Sequence, residues 1–283
     1  MIRTRLWVGS LLTVGAAGVL IGDGYLAPWY PCLFMCLVGV SLIASRELLR
    51  LFPPAVRPLE WFVAAFVCLI LIANWIELIR VELTPSVPPP RSLWDVSLFL
   101  LTLALLAAFL IEMHRYREPG VAIPRLALTM FAIMYLGLLG CFFARLRWLE
   151  HAGLILTLTI FVPKCGDIGA FFIGTFLGKH KMTPILSPKK TWEGFAGGLL
   201  ASVLTAVGFS FAGPVFAAGW LEAAAFGVIV GIAGVLGDLA ESLIKRDCQT
   251  KDAAKSIPGF GGLLDVLDSV LFAAPVAYFW FTR

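Results

Sequence analysis

Apolar residues run through this chain in blocks of about twenty, each broken by a short polar interval, and that pattern predicts helices able to cross a bilayer core of about 30 Å. Nine such spans are predicted, at about 5–22, 26–45, 59–79, 93–112, 125–145, 152–177, 192–212, 217–237 and 263–281. Backbone groups inside a bilayer must find their hydrogen bonds within the segment. The expected fold class is therefore all-α, a polytopic membrane protein of about nine transmembrane helices. Arg3 and Arg5 before the first span invite a signal-peptide reading, but the run is long and further spans follow at once, so a retained helix is expected. The polar intervals are too short to hold a separate soluble nucleotide-binding domain. The expected organisation is residues 1–150 as about five generic spans and residues 151–283 as the spans and loops that carry the chemistry.

Composition sharpens the pattern. Of 283 residues, 60% are hydrophobic and only 14% charged, so each ionisable group beside an apolar run is informative. Counted in alternate loops, sixteen basic residues fall on the side of the N-terminus, from Arg3 and Arg5 through Lys189, Lys190, Lys245 and Arg246 to Lys251 and Lys255. Five fall on the other side (Arg80, Arg91, Arg145, Arg147 and Arg283), and Lys164 lies inside a span. The positive-inside rule then predicts a cytoplasmic N-terminus. The net charge of +4 is accounted for by this bias, so no nucleic-acid partner is called for. The six cysteines form no CxxC pair and read as free thiols, mostly in spans. The three histidines are scattered, which argues against zinc or a histidine base.

Four segments could carry chemistry. If the eighth span continues as one helix, Asp238, Glu241, Ser242 and Lys245 fall on a single face, with Arg246 beside them. Pro258-Gly259-Phe260-Gly261-Gly262 then feeds the ninth span, whose first turns hold Asp265 and Asp268. A glycine-rich turn at a helix N-terminus offers unpaired N–H groups to phosphate. Before the seventh span, Ser187-Pro188-Lys189-Lys190-Thr191 reads as a helix start, with Ser187 as cap and both lysines in the first turn. Cations there oppose the helix dipole, a conflict that a bound anion would resolve. The sixth span carries Lys164 and Asp167, followed by Gly169, Gly174 and Gly178. That pair reads either as a structural ion bridge or as the polar wall of a cavity. It also leaves open a transporter with a midplane site.

Together these segments resemble the signature of the phosphatidate cytidylyltransferases, also called CDP-diacylglycerol synthases. The resemblance covers about 110 residues, from Lys164 to about Ala274, including Asp167-Ile168-Gly169-Ala170-Phe171, Ser187-Pro188-Lys189-Lys190-Thr191-Trp192-Glu193-Gly194 and Ser242-Leu243-Ile244-Lys245-Arg246. Two positions depart from it: Phe260 stands where the family usually has histidine, and Val266 where it has arginine. The resemblance implies transfer of a cytidylyl group from CTP to phosphatidate at the cytoplasmic face of the cell membrane. It implies Mg²⁺, singly or with a second cation, on Asp238 and Asp265 first, then Asp268 and Glu241. Lys190 and Lys245 join Asp238 and Asp265 as expected catalytic residues. Ser187, Lys189, Thr191, Ser242, Arg246, Gly261, Gly262 and Asp167 are expected to line the substrates. Expected partners are CTP, phosphatidate and the bilayer, with a homodimer admitted. The departures keep another lipid phosphate, such as a polyprenyl phosphate, as an alternative acceptor.

Overall fold

A computed structural model describes residues 2–84, 94–250, 253–254, 256–257 and 261–283. Of the residues singled out above, Arg91, Lys251, Lys255, Pro258, Gly259 and Phe260 lie outside them. The chain forms two compact units, Met1–Arg145 with Asp252–Leu264, and Leu146–Lys251 with Asp265–Arg283. Among the described residues, eight helices are long and apolar enough to cross a membrane, and the first helix adds a shorter apolar stretch, Gly9–Gly24. The chain is a helical polytopic membrane protein.

The first unit contains α1 (Ile2–Gly24), α2 (Pro31–Leu51), α3 (Glu60–Leu83), α4 (Asp95–Arg115), α5 (Ala122–Ala132), a π-helical segment (Ile133–Leu138) and α6 (Leu139–Arg145). Its centre is α3, which packs on α2, α4, the π segment and α6, and buries Val63, Val67, Ile70 and Leu71 completely. Two polar devices in this unit are silent in the hydropathy pattern. Asp23 is buried and accepts from the N–H groups of Cys32 and Leu33 at 2.9 and 3.1 Å, capping α2 from a distance. Asn74, also buried, donates to Ile70 O and Ser97 Oγ and accepts from Arg145, whose guanidinium lies 3.8 Å over the Trp94 ring. Buried polar groups of this kind persist where their partners are supplied.

The second unit contains α7 (Ala152–Phe176), the strands β1 (Lys181–Thr183) and β2 (Ser187–Thr191), α8 (Trp192–Ser210), α9 (Trp220–Asp247) and, from Asp265 onward, α10 (Leu264–Phe281). Small residues let α7 and α8 approach closely: Gly166, Gly169 and Ala170 face Gly198, Ala201 and Ser202. Ser202 adds a hydrogen bond by donating to Val162 O at 3.1 Å. Elsewhere α9 and α10 touch backbone to backbone, since a Cβ on Gly237 would run into the carbonyl of Asp268.

One local expectation is corrected. The segment expected to open a helix at Ser187 is instead a strand, paired antiparallel with β1 so that Lys181 faces Thr191 and Thr183 faces Ser187. The helix begins at Trp192, capped by Thr191, whose Oγ1 accepts from Gly194 N at 3.1 Å. Proline fits an extended backbone as well as a first helical turn. Pairing as a strand also keeps Lys189 and Lys190 out of the first turn, where they would oppose the dipole by a few tenths of a kcal/mol each.

Candidate active site

The site is built on α9. Beyond Gly237 the chain reads Asp-Leu-Ala-Glu-Ser-Leu-Ile-Lys-Arg-Asp, mostly good helix formers, with Lys245 and Arg246 in the last turn where they complement the dipole. The helix therefore runs on to Asp247 and presents Asp238, Glu241, Ser242 and Lys245 on one face. Lys245 Nζ lies 2.6 Å from Glu241 Oε2 and 2.6 Å from Asp265 Oδ1, bridging α9 to the first turn of α10. Ser242 Oγ reaches toward Asp238 Oδ1 at 3.4 Å.

Two further elements close around this face. From β2, Lys190 Nζ stands 2.8 Å from Asp238 Oδ2. Among the described residues this buried ammonium has no hydrogen-bond partner, so the contact stands as an ion pair. From α7, Lys164 Nζ sits 3.5 Å from both Asp167 Oδ2 and Asp268 Oδ1. The Lys164–Asp167 pair therefore joins the carboxylates of α9 and α10, and the midplane site that a transporter would need is part of this same cluster.

Oxygens of Asp238, Glu241 and Asp268 lie within 4.8 Å of one another, a grouping able to hold a metal ion. Glu241 and Asp268 are buried, 1% and 5% exposed, while the Asp238 side chain is 33% exposed, so the cluster opens on the Asp238 side. Five carboxyl groups (Asp167, Asp238, Glu241, Asp265, Asp268) surround three ammonium groups (Lys164, Lys190, Lys245), so acids outnumber bases by two. Among the described residues Glu241 Oε1 is buried without a hydrogen-bond partner, a costly state for a carboxylate oxygen. An all-oxygen donor set in which acids outnumber bases, with an unsatisfied oxygen, fits a hard divalent cation.

Not every expected site residue joins the three-carboxylate group. Asp265 stands outside the three-carboxylate group, held by Lys245. Lys189 is exposed on β2. Arg246 spends its donors on backbone carbonyls, Leu186 and Thr250, each at 3.2 Å, tying the β-hairpin to the end of α9. Thr191 is buried with its hydroxyl engaged in capping α8, and the Ser187 carbonyl accepts weakly from Thr183 Oγ1 at 3.5 Å. Val266 is half-buried in α10. In the first unit, Gly261 adopts φ 106° and pairs with Ile257, and Gly262 packs against Glu47 of α2. Glu47 is the residue that sequence reasoning passed over. Its only signal is a carboxylate among Leu48, Leu49 and Ala44, which also suits an ordinary charge at a span end.

Fold and site together define a membrane-embedded helical protein with a carboxylate and lysine centre. The profile of the cytidylyltransferase family matches residues 2–282, and the chain belongs to that family. It is similar to the phosphatidate cytidylyltransferase of Mycobacterium bovis, at 37% identity over 166 residues, which are 57% of this chain and 52% of that protein. The Bacillus subtilis phosphatidate cytidylyltransferase is 37% identical over 149 residues, 52% of this chain and 55% of its own. That of Staphylococcus epidermidis is 28% identical over 247 residues, 84% and 85% of the two chains. The first two alignments thus span about half the length of those relatives.

Proposed function

We propose that this chain transfers the cytidylyl group of CTP to phosphatidate, giving CDP-diacylglycerol and pyrophosphate. The observation that carries this reading is the Asp238, Glu241 and Asp268 group, open on the Asp238 side and ringed by Lys164, Lys190 and Lys245. Carboxylates in this number suit a hard cation, and ammonium groups in this number suit a triphosphate and a lipid phosphate. The family and the names of the relatives supply the nucleotide and the acceptor.

Mg²⁺ would be held by Asp238, Glu241 and Asp268, and when bound it supplies charge neutralisation at phosphate oxygens and the departing pyrophosphate. The remaining work falls to the chain's own side chains. Each lysine rests against a carboxylate and can exchange that partner for a phosphate oxygen without losing its charge balance. Lys190, on the strand and beside the more open Asp238, is placed to meet the incoming triphosphate. Lys245, held between Glu241 and Asp265, is placed to stabilise charge that grows as the bond between the α- and β-phosphates breaks. Asp265 acts through Lys245 by fixing its position.

An oxygen of the phosphatidate phosphate forms the new bond to the α-phosphorus, and the electron pair of the broken bond leaves with pyrophosphate. The attacking phosphate is already anionic, so no strong base is required. That fits a chain with phenylalanine at position 260. The excess of basic residues in the loops on the N-terminal side supports the cytoplasmic face for this chemistry.

The test supplies purified protein with labelled CTP, Mg²⁺ and either phosphatidate or a polyprenyl phosphate, and follows label into the organic phase. Label recovered as CDP-diacylglycerol is the expected result. No lipid-soluble product from phosphatidate would overturn the reading, and product from the polyprenyl phosphate alone would replace the acceptor.

A further inference from the structure

We infer that Glu47 of α2 is a positioning residue for the site, setting where α10 starts and, through that helix, where Asp265 and Asp268 stand; this rests on the reading proposed above. Glu47 is 5% exposed in an apolar helix, an expensive place for a carboxylate. Its Oε2 accepts from the backbone N–H of Leu264 at 2.9 Å, a bond between residues 217 positions apart in the chain. Leu264 is the first residue of α10 and is itself fully buried. Its N–H belongs to the first turn, whose donors have no partner inside the helix, and a carboxylate is favoured at that end by the dipole.

The turn before α10 is shaped around the same oxygen. A Cβ on Gly262 would lie 2.7 Å from Glu47 Oε2, 3.0 Å from Ala254 N and 3.2 Å from Ala253 Cβ, so only glycine fits without displacement. Glu47 therefore holds the helix start from one side while the glycine turn closes on it from the other. Asp265 is the next residue along the chain and Asp268 follows one turn later, on the same rigid helix. A shift of about 1 Å at the helix start would reach both aspartates, and misplacement on that scale can cost about a hundredfold in rate. Glu47 touches neither substrate nor cation in this account; it acts through α10.

The experiment compares Glu47→Ala, Glu47→Gln and Gly262→Ala with the unaltered full-length protein. Steady-state kinetics would be read alongside hydrogen exchange of the amides at 264–268. Glu47→Ala is expected to lower kcat by about 10–100-fold and raise the Mg²⁺ half-saturation by about tenfold, with KM for CTP within about threefold. Its 264–268 amides are expected to exchange at least about tenfold faster. Glu47→Gln keeps an acceptor oxygen for Leu264 N–H and is expected within about threefold of the unaltered protein on every readout.

Gly262→Ala pushes on the same carboxylate without removing a polar group, and is expected to share the alanine variant's signature. Unaltered kinetics and unaltered exchange in Glu47→Ala would overturn the inference. So would failure of Glu47→Gln to fold, because an amide oxygen meets the acceptor role. If the unaltered protein forms no CDP-diacylglycerol, the proposed reaction falls, while exchange at 264–268 still decides the role of Glu47.

Discussion

Lys245 lies 2.6 Å from Glu241 Oε2 and 2.6 Å from Asp265 Oδ1, and only 12% of its side chain is exposed. Replacing it with methionine keeps much of the volume and removes the charge. Coulomb's law at an effective dielectric constant of about 20 gives ~6 kcal/mol for each contact at this distance. Desolvation offsets much of that. The expected net cost is the ~3–5 kcal/mol seen when one partner of a buried pair is removed and the other is left uncompensated. Glu241, at 1% exposure, is the residue left in that state. At about 2 °C per kcal/mol for a chain of this size, Tm in detergent should fall by about 6–10 °C.

The cluster would also become one charge more negative, so a divalent cation should bind more tightly and stabilise the variant more than the unaltered protein. The assay is thermal unfolding followed by tryptophan fluorescence, with and without Mg²⁺, together with the double variant Lys245→Met/Glu241→Gln. The double variant should recover part of the loss, since the stranded charge has gone. A Tm unchanged in Lys245→Met, or a smaller Mg²⁺ stabilisation than in the unaltered protein, would refute the assignment of this lysine to a buried charge network.

Asp238→Asn and Asp268→Asn should each raise the Mg²⁺ half-saturation by about 100-fold, the upper end of what losing a supporting group costs a metal site. Asp265→Asn should cut turnover with little effect on Mg²⁺ dependence, because it acts through Lys245; a Mg²⁺ titration of activity separates the two patterns. Lys190→Ala should reduce kcat/KM for CTP by about 10–100-fold, the range of a lost charged hydrogen bond, whereas the exposed Lys189→Ala should stay within about twofold. Equal losses at both lysines would show that β2 does not select between them. Thr191→Ala removes the cap of α8 and should cost ~1 kcal/mol, measured as a drop of about 2 °C in Tm.

The apolar runs made the helices legible because length against bilayer thickness is a coarse and robust signal. The single face of Asp238, Glu241, Ser242 and Lys245 was legible for a similar reason, since helical spacing needs only that the helix continue. What failed was local competition. Ser187-Pro188 satisfies the rules for a helix start, yet the same residues suit a strand, and the choice is made by pairing with Lys181–Thr183, which spacing within one segment does not encode. The sorting of carboxylates was hidden for a different reason. Asp265 and Asp268 look alike in sequence, but Lys245 takes one and Lys164 approaches the other, a difference set by which helices cross where. Glu47 was the least visible, because its partner is a backbone N–H, and a main-chain donor leaves no mark in the sequence.

The backbone crossing at Gly237 bears on how mutational maps of this protein should be read. With the Asp268 carbonyl standing where a Cβ would go, every substitution there moves one carboxylate-bearing helix against the other. A saturation scan scored by activity would rank this glycine beside Asp238 and Asp268, although it has no functional group to contribute. Intolerance at Gly237 would thus record a distance between main chains. The useful control is whether a variant at that position still inserts and folds, since side-chain chemistry gives no means of rescuing it.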